Sequence, residues 1–217
     1  MKFKTAFVLL AAFASLAAQA KIEKANPMDE LDPYAADINE QLEKMDAEYE
    51  AATGKSALVV DFNSINSAFG MAVDGGCYQR TCKVFISVDK SRQRAQLFVD
   101  GTAVGDEWKA TTGSPGHGTP NFDRHPDQPL RIYDKYSSTK FPGGSWNGYG
   151  NMPFAVFIRG GFAVHGTTGT DKTGNISKLG TVPLSHGCIR VHPNNGKIFN
   201  RLVRAAGAAQ TWITVHE

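Results

Sequence analysis

The sequence predicts a mainly β domain with a C-terminal helix, preceded by an acidic helical arm, and three observations carry that reading. From about residue 56 onward, short runs rich in Val, Ile and Phe are divided by Gly, Pro and Asn, the punctuation of strands and turns. Ahead of them, Ala35, Ile38, Leu42, Met45, Tyr49 and Ala52 recur at spacings of three and four, one apolar stripe on a helix. Near the end, residues 195–206 read as a helix closed by Gly207 and followed by a last extended run over residues 211–215.

Residues 1–20 form a signal segment. Lys2 and Lys4 precede an apolar run over residues 6–18, and Ala18-Gln19-Ala20 places small residues where a signal peptidase reads. The run falls short of the roughly 20 residues of a spanning helix. No later segment is apolar enough to span, so stable membrane insertion after cleavage is not expected. The segment carries no lipid-attachment cysteine, which points to the periplasm, with secretion beyond the envelope the alternative.

Residues 21–55 are the arm. Over residues 21–52 ten acids face three bases, a charge of −7, whereas residues 53–217 carry eleven acids against eighteen bases, or +7. Asp32 is the expected N-cap, Pro33 the first helical position and Gly54 the exit. A single helix of this length buries nothing alone, so it must pack on the basic body, on a copy of itself or on a partner. It reads either as a helix completing the core or as a gating or partner-binding arm. The body's charge suits an anionic envelope polymer. Without basic clusters or an aromatic nucleic-acid motif, a nucleic-acid partner is not expected.

Residues 56–217 form the main domain, long enough for one core. Residues 57–62, 84–88, 95–99, 154–158 and 162–165 are strand candidates, with Lys90-Ser91-Arg92-Gln93 turning the second into the third. The glycine-rich stretch 142–150 reads as a mobile loop able to cover a site. Of three cysteines, Cys77 and Cys82 lie close enough to close a small disulfide loop in an oxidising compartment, leaving Cys188 free. The alternative is three reduced, packed thiols.

Ser185-His186-Gly187-Cys188-Ile189-Arg190 is the segment that carries chemistry, together with Val164-His165-Gly166-Thr167 upstream. A cysteine flanked by glycine, with histidines and an arginine nearby, supplies a thiolate nucleophile, a base and an anion anchor. If residues 188–192 are extended, Cys188, Arg190 and His192 share one face and Ile189 and Val191 the other. Gly187 permits close backbone approach, so the N–H groups of Gly187 and Cys188 are candidate donors to an oxyanion. A buried inert thiol is one competing reading. A zinc site of His165, His186, His192 and Cys188 is another, but its spacing is unlike common zinc patterns, and neither metal nor cofactor is expected.

His165-Gly166-Thr167, Leu179-Gly180 and the segment from Ser185 to Arg190, with Gly118-Thr119-Pro120 and Met152-Pro153-Phe154 before them, resemble the signature of the L,D-transpeptidase catalytic domain, also called the YkuD domain. The resemblance runs from about Cys82 to the C-terminus and implies a β-sandwich-like fold. It further implies a periplasmic cysteine acyltransferase that attacks peptidoglycan tetrapeptide stems, releases D-alanine and holds the remainder as a thioester. The acceptor is then a diaminopimelate amine, giving a cross-link, or a lysine of an envelope lipoprotein, giving an anchored protein. Carried over by position, Cys188 is the nucleophile and His165 its base, with the Gly166 carbonyl holding the His165 tautomer. Ser185, His186, Gly187 and Thr167 shape the oxyanion and substrate site, and Arg190 orients the cysteine loop or binds a carboxylate. A hydrolase or L,D-carboxypeptidase on the same fold is the alternative, and a non-catalytic wall-binding module a lesser one that an intact Cys188 and His165 argue against. Between His165 and Cys188 the stretch Gly169-Thr170-Asp171-Lys172-Thr173-Gly174 looks like an insertion relative to the family, on the expected acceptor side.

Overall fold

The computed structural model describes residues 30–60, 76–135, 152–167 and 176–217. The signal segment, the glycine-rich stretch 142–150, the insertion at 169–174 and the end of the first strand candidate lie outside the described residues.

Along the chain, helix α1 (Ile38–Thr53) is followed by β1 (Leu58–Val59), β2 (Val84–Asp89), β3 (Arg94–Val99), β4 (Thr102–Ala103), β5 (Trp108–Thr111), β6 (Phe122–Arg124) and β7 (Leu130–Arg131). Then come β8 (Val156–Arg159), β9 (Phe162–Gly166), β10 (Ile189–Val191), helix α2 (Pro193–Ala206) and β11 (Thr211–His216). Among the described residues one nine-stranded sheet runs β6-β11-β2-β3-β5-β10-β9-β8, with β4 on β3 and a separate β1–β7 pair. Strand β5 joins two leaves, pairing with β3 on one edge and β10 on the other.

The leaves curl around one core because alternate residues of each strand are apolar. Val84, Ile86 and Val88 of β2, Ile213 and Val215 of β11, Val164 of β9, and Ile189 and Val191 of β10 meet Phe199 and Val203 of α2 there. Strand and helix approach closely where β9 meets α2. A Cβ on Gly196 would stand 2.7 Å from the Gly166 nitrogen, so neither position has room for a side chain.

A second apolar cluster lies on the other face of β9 and β10. Leu31, Leu42, Met45 and Tyr49 from the N-terminal segment pack there with Tyr133, Met152, Ala155, Phe157, Ala163 and Cys188. Helix α1 therefore packs on the body of its own chain. Arg131 grips Asp46 at 2.9 Å, the Tyr133 hydroxyl donates to the same carboxylate, and Tyr49 meets Tyr133 edge to face.

The helix begins later than the residue pattern suggests. Asp32 accepts from the Tyr34 N–H at 2.9 Å in a local turn, Asp37 is the N-cap residue, and Gly54 ends the helix in the left-handed region at φ 68°. Pro33 and Tyr34 are held against the body instead of winding into α1. Helix α2 starts at Pro193, with His192 as N-cap accepting from the Asn194 N–H. Strands β4 to β7, short and polar on one side, are additional to the sequence expectation. Cys77 and Cys82 are disulfide-bonded, which leaves Cys188 as the free thiol. No helix among the described residues is long and apolar enough to cross a membrane.

Candidate active site

Parallel pairing of β9 and β10 sets the site. The register aligns Val164 with Ile189, His165 with Arg190 and Gly166 with Val191. Since Val164, Ile189 and Val191 point into the main core, His165 and Arg190 point to the opposite face, and Cys188, two residues before Arg190, belongs to the cluster on that face. Alternation alone thus brings the thiol, the imidazole and the guanidinium to one side of the leaf.

The turn leading into β10 is held from both ends. Ser185 Oγ accepts from the Gly187 N–H at 3.1 Å and donates to the Cys188 carbonyl at 2.5 Å. Thr119 Oγ1 donates to the Gly187 carbonyl at 2.8 Å, and the Ser185 main chain bonds to Thr112 and Ser114. Gly187 sits at φ 126°, a conformation that favours glycine, and a Cβ there would press on Phe162 at 3.0 Å. Its N–H is spent on Ser185, so the turn's N–H that faces an anion is that of His186.

His165 is fully buried. Its Nδ1 donates to the Gly166 carbonyl at 2.7 Å, which directs Nε2 into the site. The Gly166 N–H donates to Pro153 and the Thr167 N–H to Val191, so the main chain on both sides of the histidine is fixed. The Cys188 thiol, also fully buried, points to the Gly161 carbonyl at 3.5 Å. Burial, and then the charge of Glu30, push its pKa upward, so in this arrangement it is held as a thiol.

Glu30 is the residue that the sequence did not single out. Its side chain is 1 % exposed and its carboxylate sits among the site's donors. Arg190 Nε reaches Oε2 at 2.7 Å, His165 Nε2 lies 3.2 Å from the same oxygen, and the His186 N–H donates to Oε1 at 2.6 Å. The His165 contact is close but lacks the alignment of a good hydrogen bond. Burial alone would raise the Glu30 pKa, but the His165 contact and the Arg190 charge outweigh it and hold the carboxyl at about 2.

The model of the L,D-transpeptidase catalytic domain family, YkuD, matches residues 83–210. The chain belongs to the L,D-transpeptidase catalytic domain family. Solved L,D-transpeptidases with similar structures include one from Mycobacterium smegmatis, at 21 % identity and TM-score 0.42, covering 63 % of this chain and 59 % of that one. Another, from Mycobacterium tuberculosis H37Rv, shares 19 % identity at TM-score 0.46, with 63 % and 58 % covered. A third, from Stackebrandtia nassauensis, shares 17 % at TM-score 0.45, with 67 % and 60 % covered. The chain spans about three-fifths of the length of these solved relatives. No curated protein sequence matched the chain.

Within this L,D-transpeptidase domain, Cys188, His165 and Arg190 converge on one face of β9–β10, Ser185 and Gly187 form the turn beside it, and Gly166 and Thr167 enter through the main chain that fixes His165. His186 brings its main chain to the site and its ring Nδ1 to 3.7 Å from Glu30, while the ring is 43 % exposed and stands 5.6 Å from the His117 ring. His192 is exposed and caps α2, outside the site. Cys77 and Cys82 lie apart from it, their loop resting on the β11 side at the Ala209 carbonyl. Glu30 lies 135 residues before His165 and 160 before Arg190, in a stretch full of acids, so no local pattern distinguishes it. Thr119 carries a weak signal, as part of Gly118-Thr119-Pro120.

Proposed function

We propose that the protein is a periplasmic L,D-transpeptidase that attacks peptidoglycan tetrapeptide stems through a Cys188 thioester. The observation that carries this reading is the β9–β10 register, which sets His165 beside Arg190 with Cys188 at the mouth of the same strand. In the first half-reaction His165 Nε2 takes the thiol proton and the sulfur attacks the carbonyl carbon linking meso-diaminopimelate to D-alanine. The main-chain N–H of His186 is the turn's donor to the developing oxyanion. The imidazolium returns the proton to the D-alanine nitrogen, the C–N bond breaks and D-alanine leaves, with the stem held as a thioester. In the second half an acceptor amine attacks that thioester, loses a proton to His165 and receives the acyl group, and the departing sulfur recovers the proton.

Family membership and the placement of these side chains support the donor half. A diaminopimelate amine gives a cross-link, and a lysine of an envelope lipoprotein gives an anchored protein. Water in place of the amine gives the L,D-carboxypeptidase outcome. Incubating residues 21–217 with purified tetrapeptide-stem muropeptides and weighing the products distinguishes them: dimer, lysine-linked species or tripeptide. Cys188→Ala is expected to abolish every product while leaving the circular dichroism spectrum and melting curve near those of the parent. Product formation by the folded mutant would overturn the assignment.

A further inference from the structure

Residues 30–38 lie over the site as a strap, each contact matched to the body. Leu31 is buried with its N–H 3.4 Å from Met152 Sδ. Tyr34 meets Phe162 edge to face at 5.2 Å and donates its hydroxyl to the Gly118 carbonyl. Two lip positions have no side chain where the strap crosses. A Cβ on Gly161 would stand 2.7 Å from Ile38 and 2.8 Å from Pro33, and one on Gly187 would stand 3.3 Å from Pro33. Within the strap, the Glu30 carboxylate takes the His186 N–H of the cysteine turn and the Arg190 Nε–H, and it lies 3.2 Å from His165 Nε2.

Two consequences follow for the chemistry. With Nδ1 donating to Gly166, Nε2 is the nitrogen left for Cys188, and Glu30 Oε2 stands 3.2 Å from it, in the space a proton donor to that nitrogen would need. The fully buried Cys188 shares its apolar cluster with Leu31 of the strap, so a reagent from outside reaches the sulfur only after that cover moves. A guanidinium, a main-chain N–H and an imidazole converging on two oxygens form a receptor for a carboxylate in general, not for glutamate alone.

We propose that Arg190 Nε, the His186 N–H and His165 Nε2 form a carboxylate-binding subsite, and that residues 30–38 are an internal inhibitor whose Glu30 fills it in the resting enzyme. The ligand class is a free carboxylate borne by a peptide, which displaces Glu30 as the strap lifts. This rests on the acyl-transfer reading for its purpose, but the docking itself does not, and the test separates the two.

The test measures alkylation of Cys188 by iodoacetamide in residues 21–217, read by intact mass without reductant, so that the disulfide leaves a single reactive thiol. Glu30→Ala and, separately, Tyr34→Ala are expected to accelerate labelling by about tenfold or more, since protection scales with the fraction of time the strap is docked. In Glu30→Ala, sodium acetate is expected to slow labelling again in a saturable way, with sodium chloride at equal ionic strength inert, and acetate should leave the parent unaffected. Unchanged labelling in both variants, or acetate acting no better than chloride on Glu30→Ala, overturns the proposal. Should Glu30→Ala not fold, Tyr34→Ala keeps the pocket intact and decides the strap alone, with unchanged labelling again overturning it. Faster labelling with no muropeptide turnover in any variant would leave the strap standing and remove the peptidoglycan reading. Turnover lost only in Cys188→Ala, with labelling unchanged in the strap variants, would do the reverse.

Discussion

Glu30 is a buried carboxylate whose ionisation is tied to its partners. Its pKa falls from 4.5 to about 2 in the folded chain. A lowered folded-state value means stability that is fully present above pH 4.5 and lost as pH falls toward 2. The difference in unfolding free energy between the parent and Glu30→Gln should therefore change by about 3 kcal/mol on acidification from pH 5 to pH 2. Urea titrations at a series of pH values read this directly, and parallel curves would mean that the carboxylate titrates alike in both states. The absolute gap at pH 7 is a poorer guide, because removing a buried charge also removes its desolvation cost. None of this was legible beforehand. Cys188, His165 and Arg190 announce themselves by a local motif, whereas Glu30 acquires meaning only from partners more than 130 residues away.

At the scale of elements, Gly196 sets two effects against each other. It sits in the first turn and a half of α2, where alanine would gain about 1 kcal/mol in helix propensity. Its added Cβ, however, would meet the Gly166 nitrogen at 2.7 Å, main chain of the strand that carries His165. Overpacking against backbone costs about 1–3 kcal/mol, so Gly196→Ala is expected to destabilise, as a lowered urea midpoint would show. A raised midpoint would mean that α2 shifts off β9 freely. Strands β2, β3, β9 and β11 and helix α2 were legible because each has several apolar residues in strand or helix period. Trp108 and Ala110 of β5 alternate correctly with exposed Lys109, but four residues give too little pattern, and β4 and β7 have two residues each. The start of α1 was misread for another reason. Asp32-Pro33 has helix-start chemistry, but Pro33 packing on Gly161 and Gly187 overrides it.

For the whole molecule, the split between an acidic arm and a basic body has a physical expression. Glu30 on Arg190 ties the arm to β10 and Asp46 on Arg131 ties it to β7, alongside the apolar cluster beneath α1. Strand β11 lies between β6 and β2, parallel to β2 across six residue pairs, and supplies Ile213 and Val215 to the core. Ending the chain at residue 210 should therefore remove an interior strand. The expected product is insoluble, or lacks a cooperative melting transition, whereas a soluble, two-state truncation would show that the leaf holds without it.

That position of β11 also orders events in time. Residues 211–216 are made after everything they join, so β2 waits more than 120 residues for its parallel partner. Non-local pairing of this kind is intrinsically slow. A growing chain accordingly has its cysteine turn, about two dozen residues ahead of residue 211, while β2 still lacks the strand that completes the core beside it.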